Sequence, residues 1–150
     1  MKFDKLRSKR DGELDCNCLE AEGENMTENT SDVFAKRIAL SELAEEDFFS
    51  YYEADRPAVI RNCRAHCKHR GVSIDKLDDK NKELIREKYK KSLAYAPEGF
   101  PPYYCEFKFL EGAGYIWDTR SDKNPTHYTL LKCDEFTKDY VSDVKIEPLI

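Results

Sequence analysis

The sequence lacks most of the signatures that tie a chain to a known chemistry. It has no G-x-x-x-x-G-K-[ST] loop for nucleotide phosphates, no H-E-x-x-H pair for a catalytic zinc and no G-x-S-x-G elbow for a serine nucleophile. Gly112-x-Gly114 lacks the third glycine and the following helix of a dinucleotide site, and the acidic Asp11–Asp15 stretch lacks EF-hand ligand spacing. There are no internal repeats. No run approaches the roughly 18 apolar residues a membrane helix needs, so no membrane partner is expected. The first residues, MKFDKLRSKRDGELD, contain no apolar stretch of the kind a secretory leader carries. The default expectation is a cytoplasmic protein whose six cysteines are thiols or metal ligands.

What is present is charge, unevenly spread. The formal net charge is −5, but residues 1–55 carry 7 basic and 15 acidic side chains, residues 56–91 carry 12 and 5, and residues 92–150 carry 6 and 10. A basic block between acidic flanks points to a charged partner, or to neutralisation within one fold.

Residues 1–30 show neither helical nor strand periodicity and read as a mobile acidic N-terminal arm. Residues 31–150 read as a single α+β domain, with a helical part over 31–96 and a mainly β part over 103–150. The expected architecture is an N-terminal helical segment of about three helices packed on a small C-terminal antiparallel sheet of three to five strands.

Ser31 or Asp32 opens a helical turn with Val33, Phe34 and Ile38, and Ser41 caps a second helix, SELAEEDFFSYYEADRP. The third, Arg56–Arg70, has Pro57 at its first position and Gly71 as a left-handed residue past its end. At 100° per residue, Val59, Ile60, Cys63 and Cys67 form its core stripe and Arg61, Arg64 and Lys68 an adjoining basic one. VSIDKL follows as a connector, and a further helix runs from Asp78 or Asp79 to about Tyr95, stopped by the loop APEGFPP. Beyond it, YYCEFKFL and YIWDT form a hairpin around Glu111–Gly114, and HYTLLKC gives another strand. A short helix, EFTKDYV, capped by Asp134, and an edge strand near Lys145–Glu147 complete the chain.

Three constellations carry chemical interest. Cys63, His66, Cys67 and His69 have residue types suited to a tetrahedral zinc ion. Cysteines four apart on an apolar helix face are more often core residues, so no cofactor is expected and zinc is the one alternative. The basic stripe of Arg61, Arg64 and Lys68, with Arg70, Arg86, Tyr89 and Trp117, supplies the residue types that dominate macromolecular interfaces. The loop Gly114–Tyr128 gathers Asp118, Arg120 and His127, an acid–base pair with an anion clamp if they converge.

With no assembled catalytic motif, the reading is a non-enzyme. It is a small cytosolic binding or regulatory (accessory) module that recognises another macromolecule, a protein foremost, through the basic helical face. The alternatives are RNA or single-stranded DNA binding through that face, and a small enzyme using Asp118 and His127. Oligomeric state has no signature in the sequence.

Overall fold

In a computed structural model of the protein, residues 1–7, 16–21, 25–56, 58–93 and 102–150 are described. Their centre is a seven-stranded, wholly antiparallel sheet. Its strands are β1 (Met26–Thr27), β2 (Phe34–Ile38), β3 (Val72–Lys76), β4 (Tyr103–Phe109), β5 (Gly114–Asp118), β6 (His127–Lys132) and β7 (Val141–Pro148). Their spatial order is β1-β5-β6-β3-β2-β4-β7. Four helices accompany it: α1 (Asp4–Arg7), α2 (Cys18–Ala21), α3 (Cys63–Arg70) and α4 (Lys82–Ser92).

The expected helical segment on a small C-terminal sheet is therefore corrected: the sheet takes two of its inner strands from within the supposedly helical part. Phe34 and Ile38 are buried on one face of β2 and Ala35 on the other, so this inner strand is covered on both faces, with Arg37 exposed near its end. VSIDK is β3, with Val72 and Ile74 on one face and Ser73 and Asp75 on the other. The stretch read as the second helix keeps only a single 3₁₀ turn, Glu45–Phe48, where the Asp47 carboxylate accepts from the Ala44 N–H at 2.8 Å.

The helix expected from Arg56 starts at Cys63. Asn62 interrupts it with an extended backbone, and its Oδ1 accepts from the Ala65 N–H at 2.8 Å as an N-cap. Val59, placed by periodicity on the inner face, is 81% exposed. Gly71 is not left-handed (φ −94°). Its role is close approach, because a Cβ there would stand 2.2 Å from Cγ2 of Thr129 on β6. Pro57 and the loop through Pro101 lie outside the described residues, as does the acidic stretch Asp11–Asp15.

The two sheet faces bury different clusters. Phe34, Ile74, Cys105, Phe107, Phe109, Ile116 and Leu130 form the larger one, closed by Phe48 from the 3₁₀ turn. On the opposite face, α4 lays Ile85 and Tyr89 onto Ala35 and Tyr104. On that same face, α3 and the N-terminal residues cover Trp117 and Leu131 with Cys67, Cys18, Phe3 and Leu6. The strands either side of the centre are unequally joined. β3 matches β6 at four positions, but β2 and β3 are in register only at Phe34–Lys76 and Ala35–Asp75.

Covalent bonds hold the N-terminal part to α3. Cys16 is bonded to Cys63 and Cys18 to Cys67, with Cα atoms 5.5 and 5.6 Å apart. This corrects the expectation that all six are thiols or metal ligands; only Cys105 and Cys133 remain as thiols, both buried. Further in, Asp134 does not cap the EFTKDYV stretch but clasps the start of α1. Its carboxylate accepts from the Asp4 and Lys5 N–H groups at 3.0 and 2.8 Å. The cap of the C-terminal 3₁₀ turn, Lys138–Tyr140, is Thr137.

Candidate functional site

Between α4 and the segment 46–56 lies a cleft of about 640 Å³, lined by Lys36, Arg37, Ser73, Asp75, Lys88 and His127, among others. Strand alternation explains the convergence. Ser73 and Asp75 are two apart on β3, and β6 sets His127 opposite Asp75 and Thr129 opposite Ser73, so all four share one face. Ser73 and His127 are thus diagonal neighbours across adjacent strands. The early end of the β2–β3 ladder admits Lys36, whose Nζ donates to the Ser73 carbonyl at 3.1 Å.

Two hydrogen-bonded chains meet on this floor. In the first, Nε2 of His127 lies 3.1 Å from the Ser73 hydroxyl and Nδ1 lies 2.7 Å from the Thr119 hydroxyl. Thr119 is buried, donates to the His127 carbonyl at 3.3 Å and contacts the Thr129 hydroxyl at 3.0 Å. In the second, the buried Asp75 carboxylate accepts from Lys88 Nζ at 2.5 Å, from the Tyr89 hydroxyl at 2.6 Å and from the Thr126 hydroxyl at 2.8 Å. Lys88 also reaches Asn124 Oδ1 at 2.8 Å.

The electrostatics follow from this packing. Burial first, and Lys88 second, hold the His127 imidazole below its ordinary range; Asp75 opposes them and Lys68 of α3 adds to them. Burial brings the Lys36 ammonium down to about 8 against the attraction of Asp47 and Asp75. Burial and the Asp75 carboxylate push the Tyr89 phenol well up. At neutral pH the floor holds a neutral imidazole, a carboxylate with its donors in place, and cations at the rim.

The residues singled out from sequence are distributed over this frame as follows. Arg64 and Lys68 are exposed on α3 and Arg61 is exposed just ahead of its N-cap, outside the helix, with the Arg64 guanidinium 5.0 Å from the ring centre of Trp117. Trp117 itself is fully buried. Arg70 is buried with its guanidinium 3.9 Å from the Tyr52 ring centre. Arg86 pairs with Glu147 at 2.6 Å on the far side of α4, and Tyr89 is committed to Asp75. Of the seven, two are exposed on α3, one is exposed just ahead of it, and four serve packing within the fold.

The proposed pairing of Asp118 with His127 is overturned by register. Asp118 lies opposite Tyr128 and shares its face, so His127, the next residue, is on the other side of the sheet. Asp118 is instead held by Arg120 through two bonds of 2.9 and 2.6 Å, which keep its carboxyl below the usual range. The zinc set is overturned as well. The sulfurs of Cys63 and Cys67 are spent in disulfides, His66 is buried, and His69 Nε2 lies 2.9 Å from the Arg56 carbonyl. Among the described residues no cluster of three or more His, Cys, Asp or Glu side chains suits a metal ion.

Sequence reasoning missed Lys36, Ser73, Asp75, Lys88 and Thr119. The signal for two of them was legible: in VSIDK the polar residues alternate with apolar ones, the mark of a half-buried strand. Nothing local in the sequence says that β6 brings His127 beside Ser73.

No family model matches the chain, and neither a curated protein nor a solved structure matches it.

Proposed function

We propose that this protein is a binding module that recognises an acidic segment of another protein through the exposed cationic face of α3 and the cleft beside it. One observation carries the reading: Arg64 and Lys68 are exposed on a helix fixed at two points, Cys63 and Cys67, by disulfides, and the exposed Arg61 stands just ahead of its N-cap. A helix anchored in this way loses little conformational freedom on binding, which favours affinity per contact. Lys68 is the α3 cation whose charge reaches His127 in the cleft, where Glu46 and Asp75 offset part of the positive field. Arg37 and Arg56 extend that field along the cleft. Arg64, with its guanidinium 5.0 Å from the Trp117 ring centre, is the natural anchor for a carboxylate.

The disulfides support placing this module in an oxidising compartment rather than in the cytosol that the sequence suggests by default. A net charge of −5 weighs against nucleic acid as the main partner.

The test compares a fluorescent oligoglutamate peptide with a fluorescent single-stranded oligonucleotide, titrated by anisotropy at several salt concentrations. Peptide binding that falls at least tenfold in the Arg61→Glu, Arg64→Glu, Lys68→Glu triple variant is the expected result. Wild-type affinity in that variant would sink the reading. Tighter binding of the oligonucleotide, with affinity falling linearly in log–log against salt, would replace it with nucleic-acid recognition.

A further inference from the structure

We propose that the cleft floor is also an acyl-transfer site, with Ser73 as nucleophile and His127 as its general base, acting on small carboxylic esters that bear an anionic group. An activated serine needs an exposed hydroxyl, a base within hydrogen-bond reach and a third group that orients the base. Ser73 is exposed in the cleft, Nε2 of His127 is 3.1 Å from its Oγ, and Thr119 holds Nδ1 at 2.7 Å.

The proposed base is the tautomer with the imidazole proton on Nδ1, in which the Thr119 hydroxyl accepts at 2.7 Å and turns its own proton to the His127 carbonyl at 3.3 Å. The Nε2 lone pair then faces the Ser73 hydroxyl. Burial keeps the ring neutral, the form a base requires. As the ring gains a proton it becomes an imidazolium opposite the Asp75 carboxylate, its partner across the β3–β6 ladder. That arrangement places the counter-charge beside the base instead of in line behind it.

The step balances without a co-reactant. The Ser73 Oγ–H proton passes to Nε2 as the Oγ–C bond forms; the alcohol leaves as the C–O bond breaks and takes that proton. Water then attacks the acyl-serine with the same base, releasing the acid and restoring the hydroxyl. The oxyanion of the tetrahedral intermediate forms near Lys36, whose ammonium adjoins the Ser73 backbone. Arg37 and Arg56 in the same cleft select substrates carrying a negative charge. Thr119 is a positioning residue, since it acts only through the imidazole.

The experiment treats the intact, disulfide-bonded chain with a fluorophosphonate probe at pH 7 and locates the label by peptide mass spectrometry. A phosphonyl group on Ser73, with fluoride released, is the expected result. Its loss in Ser73→Ala, and at least a tenfold slower labelling in His127→Gln, complete the assignment. Thr119→Val should move the inflection of the labelling-rate pH profile, which a merely structural role would leave in place. Absence of label on Ser73 in the wild-type chain overturns the proposal without recourse to any variant. Equal labelling rates in the wild type and His127→Gln overturn the role of the base. Labelling is read in the absence of peptide, and peptide binding is read on the Arg61→Glu, Arg64→Glu, Lys68→Glu variant, so failure here is distinct from failure of the binding reading.

Discussion

Gly71 packs against the Thr129 methyl with no room for a side chain of its own: a Cβ there would be 2.2 Å from Thr129 Cγ2 and 3.2 Å from Leu131 Cδ2. The end of α3 thereby sits directly on β6, next to the strand position that carries His127. Gly71→Ala should cost about 1–3 kcal/mol, the usual range for overpacking a core. Thr129→Ser removes the clashing methyl and keeps the hydroxyl beside Thr119. Urea unfolding of the two single variants and the double variant should give a favourable coupling energy, with much of the loss recovered. Additive losses would mean that the contact is not what excludes a side chain at Gly71.

Whichever of the two disulfides forms second should constrain the unfolded chain less than the first. Cys16–Cys63 alone closes a span of 47 residues, which on chain-entropy grounds stabilises by about 4 kcal/mol. With it formed, Cys18–Cys67 closes only the small ring through residues 16–18 and 63–67, worth about 2–3 kcal/mol. Removing either bridge by paired Cys→Ala changes should therefore cost about 2–3 kcal/mol, and removing both about 6. Denaturant midpoints of the three variants check this, and peptide mapping without reductant should recover the two linkages.

Cys105 should make the fold sensitive to alkali. Burial, aided by Asp47 and Glu106, pushes its thiol from 9.0 up to about 12. The folded chain thus holds this proton more tightly than the unfolded chain does. The associated stability is complete below about pH 9 and is lost as pH rises towards 12, at up to about 1.4 kcal/mol per pH unit. Lys36, with its ammonium brought down to about 8, acts in the opposite sense between there and its ordinary value of 10.5. Comparing the wild type with Cys105→Ala isolates the thiol. Their stability difference should be flat below pH 8.5 and should move in the variant's favour above pH 9.

Asp75 anchors α4 to the sheet. Asp75→Asn removes the charge from a buried group with three donors and should cost about 2 kcal/mol. The figure is held down because Lys88 is 37% exposed and can turn to water. Combining the change with Tyr89→Phe should cost less than the sum of the two, measured by urea unfolding, because both remove the same hydrogen bond.

The sequence made the C-terminal half legible and the first half much less so. Tyr103–Phe109 alternates cleanly over seven residues, and the glycines after it mark a tight turn that the structure uses. Lys82–Ser92 has Ile85 and Tyr89 four apart against a charged remainder, which is a helix on periodicity alone. By contrast β2 and β3 are five residues each, too short for a period of two to outweigh a helical reading of their neighbours. The run at 41–56 is rich in helix formers, yet the chain turns there, because Phe48 must reach the core near Phe107 and Phe136. The disulfides were hidden by an assumption about compartment, not by the cysteine spacing. The site is mostly non-local: Ser73, Thr119 and His127 belong to three segments that only the strand order brings together.

The brevity of the β2–β3 ladder has a mechanical meaning. Four strands, β1, β5, β6 and β3, carry α3 and the disulfide-bonded N-terminal residues; three strands, β2, β4 and β7, lie under α4. Between these two leaves the main-chain register is matched at two positions, supplemented by the Leu77 N–H to Val33 carbonyl bond of 2.8 Å. Such a seam is where a sheet shears most cheaply, and its amides should exchange with solvent sooner than those of β6 or β4. The cleft lies over this seam and draws its walls from both leaves, Arg37 from one and Ser73 and His127 from the other. An occupant that grips both walls would act as a clasp, so that filling a small surface site would be registered as stiffness across the whole width of the protein.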